Sequence, residues 1–190
     1  MKKPLFLASM LALCLPLAAS AQEAAPKVEI FGGYSYLRAD TIDGVNAHGF
    51  NTSLAGNITK HIGIVGEFSR FDTSTSIPTQ VLGLSVNVNS NVLTYLFGPR
   101  IVLHRGKAEP FVHALFGGAH DYYKIPTAEV TDNAFAFALG GGLDVKVNNN
   151  FAIRAAQVDY LGYKLDFLRA KLYQNNFRYS AGIVIRLGKR

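Results

Sequence analysis

Ionisable residues in this sequence fall on the small-residue side of alternating segments. Residues 135–147 (FAFALGGGLDVKV) show the pattern most clearly: Phe135 and Phe137 occupy one parity, whereas Asp144 and Lys146 share the other with alanines and glycines. A β-strand directs alternate side chains to opposite faces, so this segment has one bulky apolar face and one small, charged face. Small residues among charges are expected in a narrow enclosed space, where opposite charges pair at short range.

The other alternating segments also place ionisable side chains on the face with the small residues, which we expect to face the interior. The complete set is Glu29, Glu67, Arg100, His113, Asp144, Lys146, Arg154, Arg178 and Arg186. An unpaired buried charge costs several kcal/mol, so each is expected to have a partner. We interpret the set as a structural network of polar side chains, and a proton path, an ion path or a gate is the alternative.

Metal and hydrolase chemistry have weaker support in the sequence. The five histidines are His48, His61, His104, His113 and His120. They lack the HExxH motif and any clustered ligand spacing, so we expect no metal and no cofactor. A serine hydrolase needs a serine, a histidine and an acid close together, and Ser69, His120 and Asp121 lack a spacing that predicts such a triad.

The composition limits the class of protein. The chain has 190 residues, which predicts a single domain, and 17% of them are charged, compared with about 25% in soluble domains. The basic residues are scattered rather than clustered, which argues against a nucleic-acid partner.

The first 21 residues have the pattern of a secretory signal peptide. Lys2 and Lys3 precede an apolar run over residues 5–17, and residues 19–21 (ASA) form a cleavage site. The run is too short for a membrane anchor. Cys14, the only cysteine, follows a leucine rather than the small residue of a lipoprotein signal. We expect cleavage after Ala21, a lead-in at residues 22–26 and one domain over residues 27–190.

Eight segments have strand periodicity: 28–38, 50–58, 62–71, 92–103, 110–121, 135–147, 151–160 and 177–187. Short links (59–61, 104–109, 148–150) alternate with longer ones (39–47, 72–91, 122–133, 161–176), as in a meander between two compartments. Residues 82–88 alternate and predict a strand beyond the membrane. Residues 164–174 are interpreted as loop or strand extension rather than helix.

The segment at residues 151–160 departs from the alternation. Arg154 falls on the inward parity, but Gln157 and Asp159 fall on the outward one. A β-bulge near Ala155 and Ala156 would return both polar side chains to the interior. We therefore predict a bulge at this point.

These patterns predict a closed membrane-spanning sheet. Lipid offers no hydrogen bonds to the backbone, so strands can span a membrane only as a closed barrel. Eight strands leave an interior that side chains fill, so we expect no open pore. A soluble barrel of the lipocalin type is the alternative fold, and it would enclose the bulky side chains and expose the charges.

Four stretches are distinctive: YLFGPRI (95–101), PFVHALFGGAH (110–120), ALGGGLDVKV (138–147) and FAIRAAQVDY (151–160). They resemble the bacterial outer-membrane β-barrel domain family that is grouped with OmpA and OmpX. The resemblance implies an all-β, eight-stranded antiparallel up-and-down transmembrane β-barrel in the outer membrane, and it implies no reaction. The family's closing strand usually ends on an aromatic residue, whereas here Leu187 is followed by Gly188, Lys189 and Arg190.

The function that we expect is structural or a cell-surface interaction, without enzymatic activity. A lipid-modifying enzyme and a small ion-conducting barrel remain the alternatives. The expected partners are outer-membrane lipid, lipopolysaccharide and, during biogenesis, the barrel insertion machinery. We expect no nucleic-acid partner and a monomeric barrel.

Overall fold

The structure is a computed structural model that describes residues 25–39, 46–78, 85–104, 106–125, 128–167 and 170–189. Side chains are described for residues 25–38, 46–72, 91–104, 106–120, 133–163 and 175–188. The predicted signal peptide at residues 1–21 lies outside the described residues. In the predicted lead-in, Pro26 already belongs to the first strand.

Eight strands make up the described fold, and each corresponds to one predicted segment. Their bounds are β1 Pro26–Ala39, β2 Asn46–Asn57, β3 Ile62–Pro78, β4 Ser85–Val102, β5 Ala108–Ile125, β6 Ala128–Lys146, β7 Phe151–Phe167 and β8 Ala170–Lys189. Among the described residues, no helix is long and apolar enough to cross a membrane.

The strands close into a single antiparallel barrel. Each strand pairs with the next along the chain, and β8 returns to β1 through pairs such as Val28↔Leu187 and Tyr36↔Tyr179. Closure gives every strand a neighbour on both sides, which satisfies its backbone groups without water. The predicted fold class, an eight-stranded antiparallel up-and-down barrel, is confirmed.

The two faces of the barrel wall have the chemistry that the alternation predicted. Phe97, Phe135 and Ile183 are exposed on the outside at 67%, 64% and 58%. Asp144, on the opposite parity to Phe135, is 2% exposed and lies inside. A water-soluble barrel would have the reverse arrangement, so the exposed apolar surface excludes the lipocalin alternative.

The strands extend further than predicted at the end where the long links lie. The predicted links at 72–91, 122–133 and 161–176 are mostly paired strand, because β3–β4 pairing reaches Pro78↔Ser85 and β5–β6 pairing reaches Ile125↔Ala128. Residues 164–167 and 170–174 are strand, which confirms the strand-extension interpretation. The predicted strand at 82–88 is observed from Ser85 onward, and residues 82–84 lie outside the described residues.

The predicted bulge is present in β7. The β7–β8 register shifts between Arg154 and Gln157, and the β6–β7 register shifts at the same level. As a result, Gln157 and Asp159 are 1% and 0% exposed on the inside of the barrel. The extra residue absorbs the one break in the alternation.

Side chains fold two of the short links. The Thr59 hydroxyl accepts the backbone N–H of Ile62 at 2.9 Å, and the Asn148 side-chain oxygen accepts that of Phe151 at 2.8 Å. In the third link, Gly106 adopts a φ of 62°, a conformation that a side chain would disfavour. These local bonds explain why links of four or five residues suffice at this end.

Candidate functional site

The interior of the barrel begins, at the short-link end, with four paired charges. Arg100 forms an ion pair with Glu29, and Arg186 forms one with Glu109. Arg186 Nε also lies 3.8 Å from Glu29 Oε1, which links the two pairs. All four side chains are almost fully buried, so the charges stabilise one another instead of being hydrated.

Arg154 lies above these pairs. Its guanidinium donates to both carboxylate oxygens of Asp144, at 2.8 and 3.1 Å, and to Gln157 Oε1 at 2.7 Å. The rings of Phe31 and Phe111 lie 4.2 and 4.3 Å from the guanidinium carbon. The planar cation thus has a bidentate bond to a carboxylate and two aromatic rings within cation–π distance, and lysine cannot reproduce the bidentate bond.

Arg178 is the centre of the next layer and is completely buried. It donates to Asp159 at 2.9 and 2.6 Å and to the Ser69 hydroxyl at 3.1 Å, and its ion pair with Glu67 measures 2.5 Å. His113 Nε2 lies 2.7 Å from the other oxygen of Asp159. One arginine therefore serves two carboxylates.

Gln157 connects the two arginine layers. Its carbonyl oxygen accepts from Arg154, while its amide nitrogen donates to Asp159 at 2.7 Å and to Glu67 at 3.2 Å. Because the bulge turns Gln157 inward, the connection between the two arginine layers depends on the bulge.

Apolar side chains fill the interior towards the long-link end. The cluster contains Leu37, Phe71, Val92, Leu96, Leu115, Leu161 and Tyr163, with alanines between them. The interior thus contains a charged network and an apolar cluster, and the two meet where Leu37 pairs with Arg178 and Leu96 pairs with Glu67. Buried side chains are found in both, as expected for the narrow interior of an eight-stranded barrel.

Eight of the nine side chains that the sequence singled out are buried in this interior. They are Glu29, Glu67, Arg100, His113, Asp144, Arg154, Arg178 and Arg186. Lys146 is only half-buried, near the short-link end. The prediction of a structural role for the set stays a prediction.

Sequence reasoning missed other members of the network. The sequence predicts Glu109 in a link, whereas in the structure it lies one residue inside β5 and its side chain is buried in the interior. Asn51 and Ser180 are also buried and bonded, but uncharged side chains of this size give no distinctive signal in a sequence.

The hydrolase candidates do not lie on one surface. Ser69 points inside, where its hydroxyl lies 2.6 Å from that of Thr94, whereas His120 lies on the outer face and its ring nitrogen is 2.6 Å from Asn133 Oδ1. The barrel wall separates the two. The side chain of Asp121 lies outside the described residues.

Two histidines meet at the short-link end. The rings of His61 and His104 are 6.1 Å apart, and neither ring nitrogen of His104 has a hydrogen-bond partner among the described residues. Burial lowers the pKa of His104, which follows β4 and lies outside the spanning strands. Within the described residues, no three potential metal-ligating side chains cluster.

The sequence matches the model of a known protein family. The "outer membrane protein beta-barrel domain" model matches residues 5–184, nearly the whole chain. This chain belongs to that family. It is an outer-membrane β-barrel protein, and the predicted localisation in the outer membrane is confirmed. A search of curated proteins found no match.

Solved outer-membrane barrels share the fold at low sequence identity. Neisserial surface protein A (NspA) matches with a TM-score of 0.62 and 10% identity, over 87% of this chain and 100% of that one. Ail of Yersinia pestis matches with a TM-score of 0.55 and 18% identity, over 84% and 99%. The N-terminal barrel of Pseudomonas aeruginosa OprF matches with a TM-score of 0.50 and 12% identity, over 86% and 98%.

The outer surface of this outer-membrane barrel fits the membrane in height. On β1 the outward residues are uncharged from Val28 to Tyr36, and Arg38 follows them. About ten residues at a rise of about 3.3 Å and a tilt of about 40° give a band about 25 Å tall, the height typical of bacterial barrels. At the long-link edge of this band, Tyr36 donates to Asn46 at 2.7 Å and Tyr160 to Asn175 at 2.5 Å, as expected of aromatic residues at the membrane surface.

Proposed function

We propose that this protein is a closed, non-conducting membrane anchor that presents extended β-hairpins at the cell surface for contact with other molecules. The observation that carries the proposal is the contrast between a filled interior and hairpins that continue beyond the closed part of the barrel. The ladder between β6 and β7 stops at Ala136↔Tyr163, whereas the β5–β6 and β7–β8 hairpins continue to Ile125↔Ala128 and Phe167↔Ala170.

The protruding hairpins have strand edges that the barrel does not use. Residues 128–132 of β6 have no ladder partner on β7 among the described residues. Such an edge can pair with an extended segment of another protein, with backbone hydrogen bonds that do not depend on its side chains. In a bacterial barrel the longer connections face outward, so this edge faces the exterior.

The interior supports the absence of conduction and of catalysis. Four arginines are paired with buried carboxylates inside the barrel, and apolar side chains pack beside and beyond them towards the long-link end. An ion would need to displace these pairs, each of which is costly to break. The separation of Ser69 and His120 by the barrel wall disfavours hydrolysis, so we propose no enzymatic role.

Three further partners belong to this proposal. Lipid covers the apolar band, and lipopolysaccharide is in contact with its outer edge. The insertion machinery acts on the chain before the barrel closes, and the folded protein is a monomer. Ail, whose name records attachment and invasion, has the same fold, which supports a surface role without identifying a ligand.

The first experiment measures conductance in planar bilayers. We expect no steady current from the folded protein. A stable current that disappeared in Arg100→Ala or Glu67→Gln would contradict the proposal in favour of an ion path through the network.

The second experiment measures adhesion. Cells that display the protein, cells that display a variant in which a two-residue turn replaces residues 122–131, and cells without the protein are compared on surfaces coated with extracellular-matrix protein. A heat-dependent shift on detergent gels identifies folded barrels. We expect the hairpin variant to fold and adhere less. Equal adhesion of all three strains would remove the surface role and leave only the structural one.

A further inference from the structure

Glycines on the lipid-facing wall are of two kinds. Gly118 lies beneath the ring of Tyr95, and Gly162 lies beneath the ring of Phe137, so that added side chains would collide with these rings. Around Gly32, Gly56 and Gly66, by contrast, an added Cβ would meet nothing within 4 Å. Packing within the barrel therefore does not require glycine at these three positions.

A bare glycine in a strand needs another explanation. Glycine destabilises a strand relative to alanine because it loses more conformational freedom on folding. In strand interiors it often marks a point where a ligand approaches the backbone closely. Glycines without a neighbour around the Cβ position therefore indicate places where a molecule outside the barrel could contact the backbone.

Gly66 lies in the floor of a groove of about 450 Å³ on the outer wall. The exterior side chains around the groove are Ile30, Thr52, Leu54, Phe68, Tyr95 and Phe97. Leu54 and Phe97, which pair with Gly66 from the two neighbouring strands, are 57% and 67% exposed and form its sides. The Thr52 hydroxyl is already bonded to the carbonyl of Phe31 at 2.8 Å. The groove therefore favours an occupant made of hydrocarbon.

We propose that this groove binds one acyl chain of a phospholipid. The groove extends along the apolar band from Ile30, in the half of β1 nearer the short links, to Phe68 and Tyr95, which lie one step further towards the long links than Gly66 and Phe97. An acyl chain is narrow and flexible enough to follow a groove between protruding side chains. A second barrel would need a contact of roughly 1,200 Å² or more, which one groove on a convex wall does not supply.

The groove favours an acyl chain over the rest of the wall through dispersion contacts rather than through the hydrophobic effect. Lipid tails outside the groove are already in hydrocarbon, so entering it removes no apolar surface from water. The gain is the sum of many weak dispersion contacts with the exposed glycine backbone and the surrounding side chains. A side chain placed at Gly66 would occupy the same space and remove these contacts.

The test uses the full-length folded protein in vesicles of phosphatidylethanolamine that contain a small fraction of the same lipid with a diazirine on its acyl chain. After irradiation, mass spectrometry of peptides locates the lipid adducts. Gly66→Phe fills the groove, and Gly56→Phe adds the same side chain at a bare glycine outside it. We expect adducts concentrated at the groove, reduced roughly tenfold by Gly66→Phe and unchanged by Gly56→Phe. The heat-dependent gel shift verifies that both variants fold.

Two results would overturn the proposal. Adducts distributed evenly around the wall, or equally frequent in both variants, would mean that the groove has only ordinary boundary lipid. Efficient disulfide-linked dimers of a Leu54→Cys variant in vesicles would assign the groove to a second copy of the chain.

Discussion

Arg178 is the residue whose loss should be most costly, because one buried cation serves two buried carboxylates. Its guanidinium is bonded to Asp159 at 2.6 and 2.9 Å and is paired with Glu67 at 2.5 Å. Arg178→Met keeps most of the volume but removes the charge. Both carboxylates then remain inside the barrel without their cation.

The magnitude follows from what each carboxylate keeps. Breaking a buried pair costs about 3–5 kcal/mol, because a charge is left without compensation. Asp159 retains His113 and Gln157, and Glu67 retains Gln157 and Asn51. These remaining donors place the expected loss near the lower limit, about 3 kcal/mol. The matched control is Arg70→Met, which breaks an ion pair of 3.2 Å with Asp72 at 47% and 59% exposure, and it should cost at most about 1 kcal/mol.

The assay is reversible urea unfolding in lipid vesicles, followed by far-ultraviolet circular dichroism and the gel shift. Arg178→Lys keeps the charge without the planar fork and should lie between wild type and Arg178→Met. Adding Glu67→Gln and Asp159→Asn to Arg178→Met should restore much of the stability, because it removes the uncompensated charges. Unfolding of Arg178→Met at the same urea concentration as Arg70→Met would mean that the network does not stabilise the barrel.

Three further predictions concern packing, the bulge and pH. A Cβ at Gly140 would lie 2.4 Å from the carbonyl oxygen of Val158, so Gly140→Ala should destabilise the barrel by about 1–3 kcal/mol, whereas Gly56→Ala should not; equal urea midpoints would contradict this. Deletion of Ala155 should leave a folded barrel with a heat-dependent gel shift, because it removes only the extra residue of the bulge. Deletion of Ala181 in the facing strand should abolish folding, because it changes the register of that strand. Loss of the gel shift in both variants would refute the bulge. Burial lowers the pKa of His104, so the folded state resists protonation and loses stability as pH falls below the unfolded pKa of about 6.5. His104→Asn should reduce this loss of stability between pH 7 and 5. If the urea midpoints of the variant and the wild type fall equally with pH, this prediction is wrong.

The wall of the barrel was predictable because membrane and interior impose opposite chemistry on neighbouring residues. Phe135 and Asp144 have opposite parity in β6, so they lie on opposite faces of the strand. The first therefore faces lipid and the second lies inside the barrel. The same rule located the bulge, because an acid and an amide on the lipid side of β7 are too costly to leave there.

The partners of the inward charges were not predictable by the same rule. Alternation assigns a side chain to a face, but it does not give the stagger between distant strands. Glu29 and Arg100 are 71 residues apart, and Glu109 and Arg186 are 77 apart, so each pair depends on how the closed sheet aligns strands that are not neighbours in sequence. The hairpin extensions were underestimated for another reason: beyond the membrane both faces meet water, and the contrast that marks the strands disappears.

The bulge shows how one local irregularity can be required by a global network. In a regular β7, Gln157 would face lipid and the Arg154 and Arg178 layers would lose the side chain that joins them. Asp159 would leave at the same time, and Arg178 would keep only Glu67 as a charged partner. The bulge costs free energy because it disrupts the β7–β8 ladder, and this cost is offset by the bonds that Gln157 and Asp159 make in the interior. A sequence that breaks alternation at one point in a membrane strand therefore indicates where the interior needs those side chains.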